Sequence, residues 1–454
     1  MTGRHVHLIG IGGVGMCGLA EVLHAGGARV SGCDIAASER TERLTSLGIE
    51  VRIGHDPNHL EAVDTVIYSA AVDDQEPELE SARRGPMRVV KRAAVLGELM
   101  RGRRGVAVAG THGKTTTTSL IGHLLTEAGL DPTVLVGGHA RFADSNARIG
   151  GGETMVCEAD EYDRSFLEIR ATVAVVTNLE PEHLDCYGSA AELEAAFVLF
   201  CNQTEETGRV VLCRDDEGSW ALAEAVRRPL TSYGFSAAAD LRVVDVRREP
   251  EGSRFTVVRD GETLGQAGIR LPGRFNILNT LAALAVGLEL GLPFSQLAAG
   301  CDSFSGVARR FDVLGARDEI TVVDDYAHHP TEIEAVLGAA RQAFPGRRLV
   351  VVFQPHLFSR TRDFADGFGR ALLGADVVVV LPIYPARECP IDGIDEDVVV
   401  TAAARLGHPA IAAGPAVAEA SSFVDDLLVP GDVLITLGAG DVHRVAEDWL
   451  RGAA

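Results

Sequence analysis

The chain has 454 residues, 64 acidic against 42 basic side chains, a formal net charge of −22 and 46% hydrophobic content. That length holds two to four domains with cores of their own, and the hydrophobic share excludes disorder as the main character. So acidic a surface repels nucleic acid and anionic membranes, no apolar run reaches the ~18–20 residues of a membrane span, and the opening MTGRHVHLIG reads as a strand rather than a signal peptide.

Short β-branched runs alternate with helical stretches. The first series predicts strands at 5–9, 29–33 and 65–68, with a helix at 16–23 after a Gly-rich turn. A basic stretch at 83–104 reads as a boundary. The second series predicts strands at 106–109, 133–136, 154–158 and 173–177, with a helix running to 128. Between 210 and 269 the strands crowd together, which predicts an antiparallel piece. A third series predicts strands at 321–323, 349–353, 377–381 and 433–437. Alternation of this kind is the pattern of parallel sheets covered on both faces, so the expected fold class is α/β in three domains, bounded at 1–102, 103–311 and 312–454. The first and third are Rossmann-like; the central one is P-loop-like, mostly parallel with the small antiparallel piece.

Four groups of residues carry chemistry. Gly10, Gly12, Gly13 and Gly15 lie between a strand and a helix, and Asp34 ends the next strand. Glycines there let backbone approach a diphosphate at a helix N-terminus while the acid meets a ribose; a ligand-free tight turn is the bland alternative. The run Gly110-Thr111-His112-Gly113-Lys114-Thr115-Thr116 follows the strand VAVA, with Val108 where a standard P-loop has its first glycine. Backbone amides there cradle phosphates, Lys114 reaches the β- and γ-phosphates of ATP, and the Thr115 hydroxyl binds Mg²⁺. A polar helix cap explains the threonines but not the lysine: only Lys91 and Lys114 occur in the chain, against 40 arginines. A lysine kept in such a chain does work that arginine's planar fork cannot.

Glu158, Asp160 and Glu161 end one strand, and Asn178, Glu182, His183 and Asp185 follow another. Acids and a histidine beside a P-loop suit a second Mg²⁺, although Asp160, Glu161 and Glu182 are each explained as solvated loop acids. Cys186 has no second soft pair for zinc. In the third series Asp324, Asp325, Tyr326, His328 and His329 follow a strand, then Gln354, His356, Arg360 and Arg362, then Tyr384, Arg387 and Glu388, with Arg309-Arg310 upstream. Strand carboxyl ends are where open α/β sheets bind ligands. His55 and His59 read as surface or nucleotide-side residues without a role. The eight cysteines form no CxxC pair and read as buried small hydrophobes in a reducing compartment, hence a cytoplasmic location.

With HLIGIGGVGMCGLAEVL, AGTHGKTTTT, EADEYDRSFL, VTNLEPEHLD, LPGRFNILN, FSGVARRFDVLG, DDYAHHPTEI and FQPHLFSRTRD in order, the chain resembles the Mur ligase family nearly end to end. The resemblance implies that the first domain holds a UDP-sugar through Gly12, Gly13, Gly15, Asp34 and Ser69. The central domain then holds ATP through Gly110–Thr116, Asn276, Asn279 and Arg310, with Mg²⁺ on Thr115, Glu158 and His183. Tyr326, His329 and Arg360 take the amino acid, and Lys114, Glu158 and His183 carry catalysis. The implied reaction joins L-alanine to the lactyl carboxylate of UDP-N-acetylmuramate through an acyl phosphate, giving ADP and phosphate, in a monomer or weak homodimer. Several relatives have arginine where Leu357 stands. Several also hold a second Mg²⁺ with a carbamylated lysine soon after the histidine matching His183; here residues 188–200 contain no lysine. The rival readings are a relative adding a whole peptide, an NAD-dependent dehydrogenase, and a non-catalytic nucleotide sensor.

Overall fold

A computed structural model describes residues 1–69, 71–143, 145–182, 184–386 and 388–452. Strands buried on both faces must be apolar throughout, and the VVVF and VAVV runs meet that condition. They order into three sheets.

The first sheet holds β1 (His5–Ile9), β2 (Arg29–Asp34), β3 (Glu50–Ile53), β4 (Thr65–Tyr68) and β5 (Arg88–Lys91), in the order β3-β2-β1-β4-β5. All four pairings are parallel. β5 and the helix Arg92–Met100 occupy the stretch that the sequence marks as a boundary. Its arginines hid them: Arg88 and Lys91 at the two ends of β5 are exposed around half-buried Val89 and Val90, and Arg88 pairs with Glu98.

The second sheet runs β15-β14-β13-β12-β11-β10-β6-β9-β7-β8. Its members are β6 (Arg104–Ala109), β7 (Thr133–Ala140), β8 (Ser145–Arg148), β9 (Thr154–Glu158), β10 (Val173–Val176), β11 (Arg209–Cys213), β12 (Leu230–Gly234), β13 (Leu241–Glu249), β14 (Gly252–Arg259) and β15 (Glu262–Ile269). The antiparallel piece expected from 210 onward starts later. β11 and β12 pair in parallel, as do β12 and β13. Beyond them, β13–β15 are joined by two-residue turns, which reverse the chain, and at the other edge β7 and β8 pair antiparallel.

The third sheet, in the order β16-β17-β21-β18-β19-β20, comprises β16 (Asp312–Arg317), β17 (Ile320–Asp325), β18 (Leu349–Phe353), β19 (Val377–Val380), β20 (Ile411–Ala413) and β21 (Val433–Leu437). Only the edge pair β16–β17 is antiparallel. The chain packs as two compact units: 1–245, 255–267 and 278–305 form one, and 246–254, 268–277 and 306–454 the other. No described helix is long and apolar enough to cross a membrane.

Candidate active site

In the first unit, β1 ends at a turn whose geometry demands glycine. Gly10 has φ +77°, and a Cβ at Gly12 would stand 2.9 Å from the Asp34 carboxylate. Asp34 accepts the Gly12 amide at 2.8 Å, and the Gly10 amide donates to the Cys33 carbonyl at 2.9 Å. Gly13 caps the helix Val14–Ala25 in extended conformation. Parallel pairing of β1 with β4 sets Ser69 beside Gly10, where its hydroxyl accepts the Ala71 amide. Two cations that the sequence reading missed border the turn. Arg40 donates to the Gly12 carbonyl at 2.6 Å, and a Cβ at Gly15 would lie 2.5 Å from the Arg92 guanidinium. They supply local positive charge to an otherwise acidic chain, as a diphosphate requires.

The loop expected to cradle phosphates lies at the carboxyl end of β6, between β10 on one side and β9 on the other. Gly110 and Gly113 have φ of +131° and +79°, and a Cβ at Gly110 would collide with Thr177. The loop following β10 holds the cradle open. Asn178 accepts the His112 amide at 2.7 Å, its carbonyl accepts the Thr111 amide, and the Glu180 amide donates to the Thr111 hydroxyl. Asn178 thus anchors the loop. The helix Lys114–Glu127 begins immediately after, with Thr115 and Thr116 buried in its first turn. Asn279 accepts the Thr117 hydroxyl at 3.2 Å and lies against Gly113. Asn276, three residues earlier on the helix Arg274–Glu289, is buried and donates to the Pro272 carbonyl at 2.7 Å.

Lys114 donates to both Glu161 oxygens, at 2.9 and 2.8 Å, and to the Gly110 carbonyl at 2.5 Å. Glu161, read from sequence as a solvated acid, is 2% exposed. Burial pushes its carboxyl up to about 7, against the pull of Lys114. Burial also works against the Lys114 ammonium, but Glu161, Asp160 and Glu158 outweigh it and raise its pKa, so the cation persists. Glu158 ends β9 opposite Val108 and accepts the Gly137 amide at 2.6 Å. The Thr115 hydroxyl, in the first turn of its helix, and the Glu158 carboxylate, at the end of β9, are hard oxygen donors, a donor set that fits Mg²⁺. His183, the third expected ligand, and Arg387 lie outside the described residues.

In the second unit, Tyr326 follows β17 with the guanidinium carbons of Arg309 and Arg310 5.0 and 5.1 Å from its ring centroid. Arg310, expected at ATP, stands here beside Tyr326 and 3.8 Å from Glu332. Arg309 is occupied structurally, donating to Asp324 at 3.0 Å and to the Gly438 carbonyl at 2.6 Å. Asp325 accepts the amides of Phe311 and Ala327, and burial pushes its carboxyl up to about 7 against the Arg310 charge. The rings of His328, His356 and Tyr384 continue from Tyr326 in edge and stacked contacts. His329 is buried against Phe364, and Arg360 sits half-buried in the first turn of the helix Phe358–Leu372. Leu357 caps that helix with φ +70° and ψ 135°, a strained conformation costing about 1–3 kcal/mol. Its amide bond to the Tyr384 carbonyl and its own carbonyl's bond from Thr361 hold it there.

The sequence matches the Mur ligase family catalytic domain over 5–104, the Mur ligase middle domain over 108–287 and the Mur ligase glutamate ligase domain over 309–440. The chain belongs to the Mur ligase family. As a Mur ligase it is 45% identical over 448 residues to the UDP-N-acetylmuramate–L-alanine ligase of Salinibacter ruber, covering 98% of this chain and 94% of that protein. It is 44% identical over 447 residues to the enzyme of the same name from a Geobacter species, covering 98% and 97%. The crystal structure of UDP-N-acetylmuramate–alanine ligase from Thermotoga maritima superimposes with a TM-score of 0.85 at 28% identity, covering 99% of each chain. A murein peptide ligase from Psychrobacter arcticus shares the fold, with a TM-score of 0.73 at 24% identity and 99% and 98% coverage.

The free cysteines depart from the expectation in three places. Cys389 is exposed, Cys186 is half-buried, and Cys33 sits in a polar cluster with His55 and Glu78. His55 and His59, read as residues without a role, both turn inward onto Glu78.

Proposed function

We propose that this Mur ligase joins L-alanine to the lactyl carboxylate of UDP-N-acetylmuramate, converting ATP to ADP and phosphate, in cytoplasmic peptidoglycan precursor synthesis. The observation that carries the reading is full-length identity of 45% to an alanine-adding relative, together with a built phosphate cradle around one of only two lysines.

The UDP diphosphate lies on the turn of Gly12, Gly13 and Gly15, flanked by Arg40 and Arg92. The cradle amides of Gly110–Thr116 hold the ATP phosphates. Lys114 leaves Glu161 for the γ-phosphate as the lactyl carboxylate attacks it, and its charge offsets the negative charge spreading over the phosphoryl oxygens. Glu161 then loses its counter-ion, and its elevated pKa lets it take a proton instead. Thr115, Glu158 and His183 would hold Mg²⁺, which would supply neutralisation of phosphate charge. The product of this step is an acyl phosphate. The alanine amine attacks its carbonyl, phosphate leaves, and the amide remains. Tyr326, His329 and Arg360 are the residues proposed to orient the amino acid, and Arg310 to meet ATP.

A dehydrogenase reading leaves the lysine cradle unexplained, and a nucleotide sensor needs no acid cluster beside it. The test is phosphate release from ATP with UDP-N-acetylmuramate, offering each amino acid and a tripeptide separately. Turnover with alanine supports the proposal. Turnover only with the tripeptide assigns the chain to peptide-adding ligases, and none with any acceptor refutes both.

A further inference from the structure

A second polar centre lies in the first sheet, away from the phosphate cradle. His7 projects from the middle of β1, Cys33 from the end of β2, His59 from the short 3₁₀ helix Pro57–Leu60, and Glu78 from the first turn of the helix Pro77–Arg84. One ligand atom from each lies within 4.8 Å of all the others. His7 Nε2 is 2.9 Å and His59 Nδ1 3.3 Å from Glu78 Oε1, while Cys33 Sγ is 3.1 Å from Glu78 Oε2. His7 is 1% exposed and Glu78 is fully buried. Yet His7 Nε2, His59 Nδ1 and Glu78 Oε1 have no hydrogen-bond partner of acceptable geometry. Leaving the inner oxygen of a buried carboxylate and two imidazole nitrogens unbonded at such close range is costly unless a cation sits among them.

We propose that His7, Cys33, His59 and Glu78 form a site for a divalent transition metal of the zinc class. Zinc bonds of about 2.0–2.3 Å place tetrahedral ligands roughly 3.3–3.6 Å apart, a spacing that falls within the 4.8 Å bounding the four donor atoms. Two imidazole nitrogens and one sulfur, borderline to soft donors, outnumber the single carboxylate oxygen and select zinc over Mg²⁺, in contrast to the hard oxygens at the cradle. The supporting shell is present. Ser31 Oγ lies 2.9 Å from His7 Nδ1, which turns Nε2 toward the centre, and 2.8 Å from His5 Nε2. The Asp56 amide donates to Glu78 Oε2 at 3.1 Å, and His55 Nδ1 lies 3.1 Å from Cys33 Sγ. A cavity of about 290 Å³, lined in part by Ser31, Arg52 and two of the four ligands, His7 and His59, opens beside the centre. Binding releases the Cys33 thiol proton to solvent and leaves a metal-bound thiolate.

The ligands come from four separate segments between His7 and Glu78, so the metal staples the first sheet. It also braces the diphosphate turn, because the Cys33 carbonyl accepts the amides of Gly10 and Ile11 and the next residue, Asp34, accepts that of Gly12.

The experiment uses the full chain, stripped with a chelator and then dialysed against zinc or cobalt. Wild type is expected to retain one equivalent of zinc and to melt at higher temperature with it. The cobalt form is expected to show the intense visible bands of a tetrahedral ion and a thiolate-to-metal charge-transfer band. Cys33→Ser removes that band and the zinc-dependent thermal shift, and Ser31→Ala weakens binding about 10–100-fold. Glu158→Gln retains the zinc, separating this centre from the cradle. Folded wild type that retains no zinc, a cobalt spectrum without the thiolate band, or Cys33→Ser binding like wild type overturns the proposal.

Discussion

Removing Lys114 tests the buried pair in a way that activity alone does not. In the intact protein the Glu161 carboxyl is raised from 4.5 to about 7. The native state therefore binds a proton more tightly than the unfolded chain, so this group's stabilising contribution is full below pH 4.5 and lost as pH rises through about 7. Above that it is flat. In Lys114→Ala the opposing cation is gone, while the carboxylate keeps its 3% side-chain exposure. Its native pKa then moves further above 7, and the loss continues at about 1.4 kcal/mol per pH unit. Between pH 7 and 8.5 the variant is expected to lose about 2 kcal/mol relative to wild type, while below pH 7 the two profiles run parallel. Urea unfolding of both proteins at half-unit intervals from pH 6 to 8.5 measures this. A stability difference independent of pH across that range refutes the pairing. Turnover at pH 7 falls by about 10²–10³, because the donor aimed at developing charge is lost.

Gly113→Ala forces a Cβ into a residue with φ +79° and to within 2.8 Å of Asn279, so it is expected to destabilise the protein by about 1–2 kcal/mol and to raise the KM for ATP, read by thermal melting and steady-state kinetics. Glu158→Ala and His183→Ala should each raise the Mg²⁺ concentration needed for half-maximal turnover; an unchanged Mg²⁺ profile in both refutes the metal assignment. The stretch 188–200 contains no lysine, Lys91 lies in the first sheet and Lys114 is kept as a cation, so activity should not respond to bicarbonate in carbonate-depleted buffer. UDP-N-acetylmuramate without ATP should raise the melting temperature by mass action while NAD and NADP leave it unchanged, and the reverse pattern returns the first domain to the dehydrogenase reading.

What the sequence made legible was local. Gly110 and Gly113 could be read as obligatory because a strand runs into them and a helix out of them, and their positive φ values follow from that junction. The scarcity of lysine singled out Lys114 for the same reason: one position, one chemistry. What stayed hidden depends on segments distant in sequence. Glu161 reads as a solvated acid from its neighbours alone, and becomes a buried counter-ion only because β9 docks beside β6. Arg92, inside a basic stretch that reads as a linker, reaches Gly15 because β5 completes the first sheet before its helix starts. The cluster of His7, Cys33, His59 and Glu78 leaves no spacing motif at all, since each donor belongs to a different segment and only sheet order brings them together. Motif spacing therefore finds sites built on one loop, and misses those assembled across strands. In this chain both kinds occur in the same unit. The cradle needs its loop preformed to receive phosphates, whereas a cross-strand centre acts on the sheet itself, so the two should differ in what their loss affects: turnover for the first, stability of the first sheet for the second.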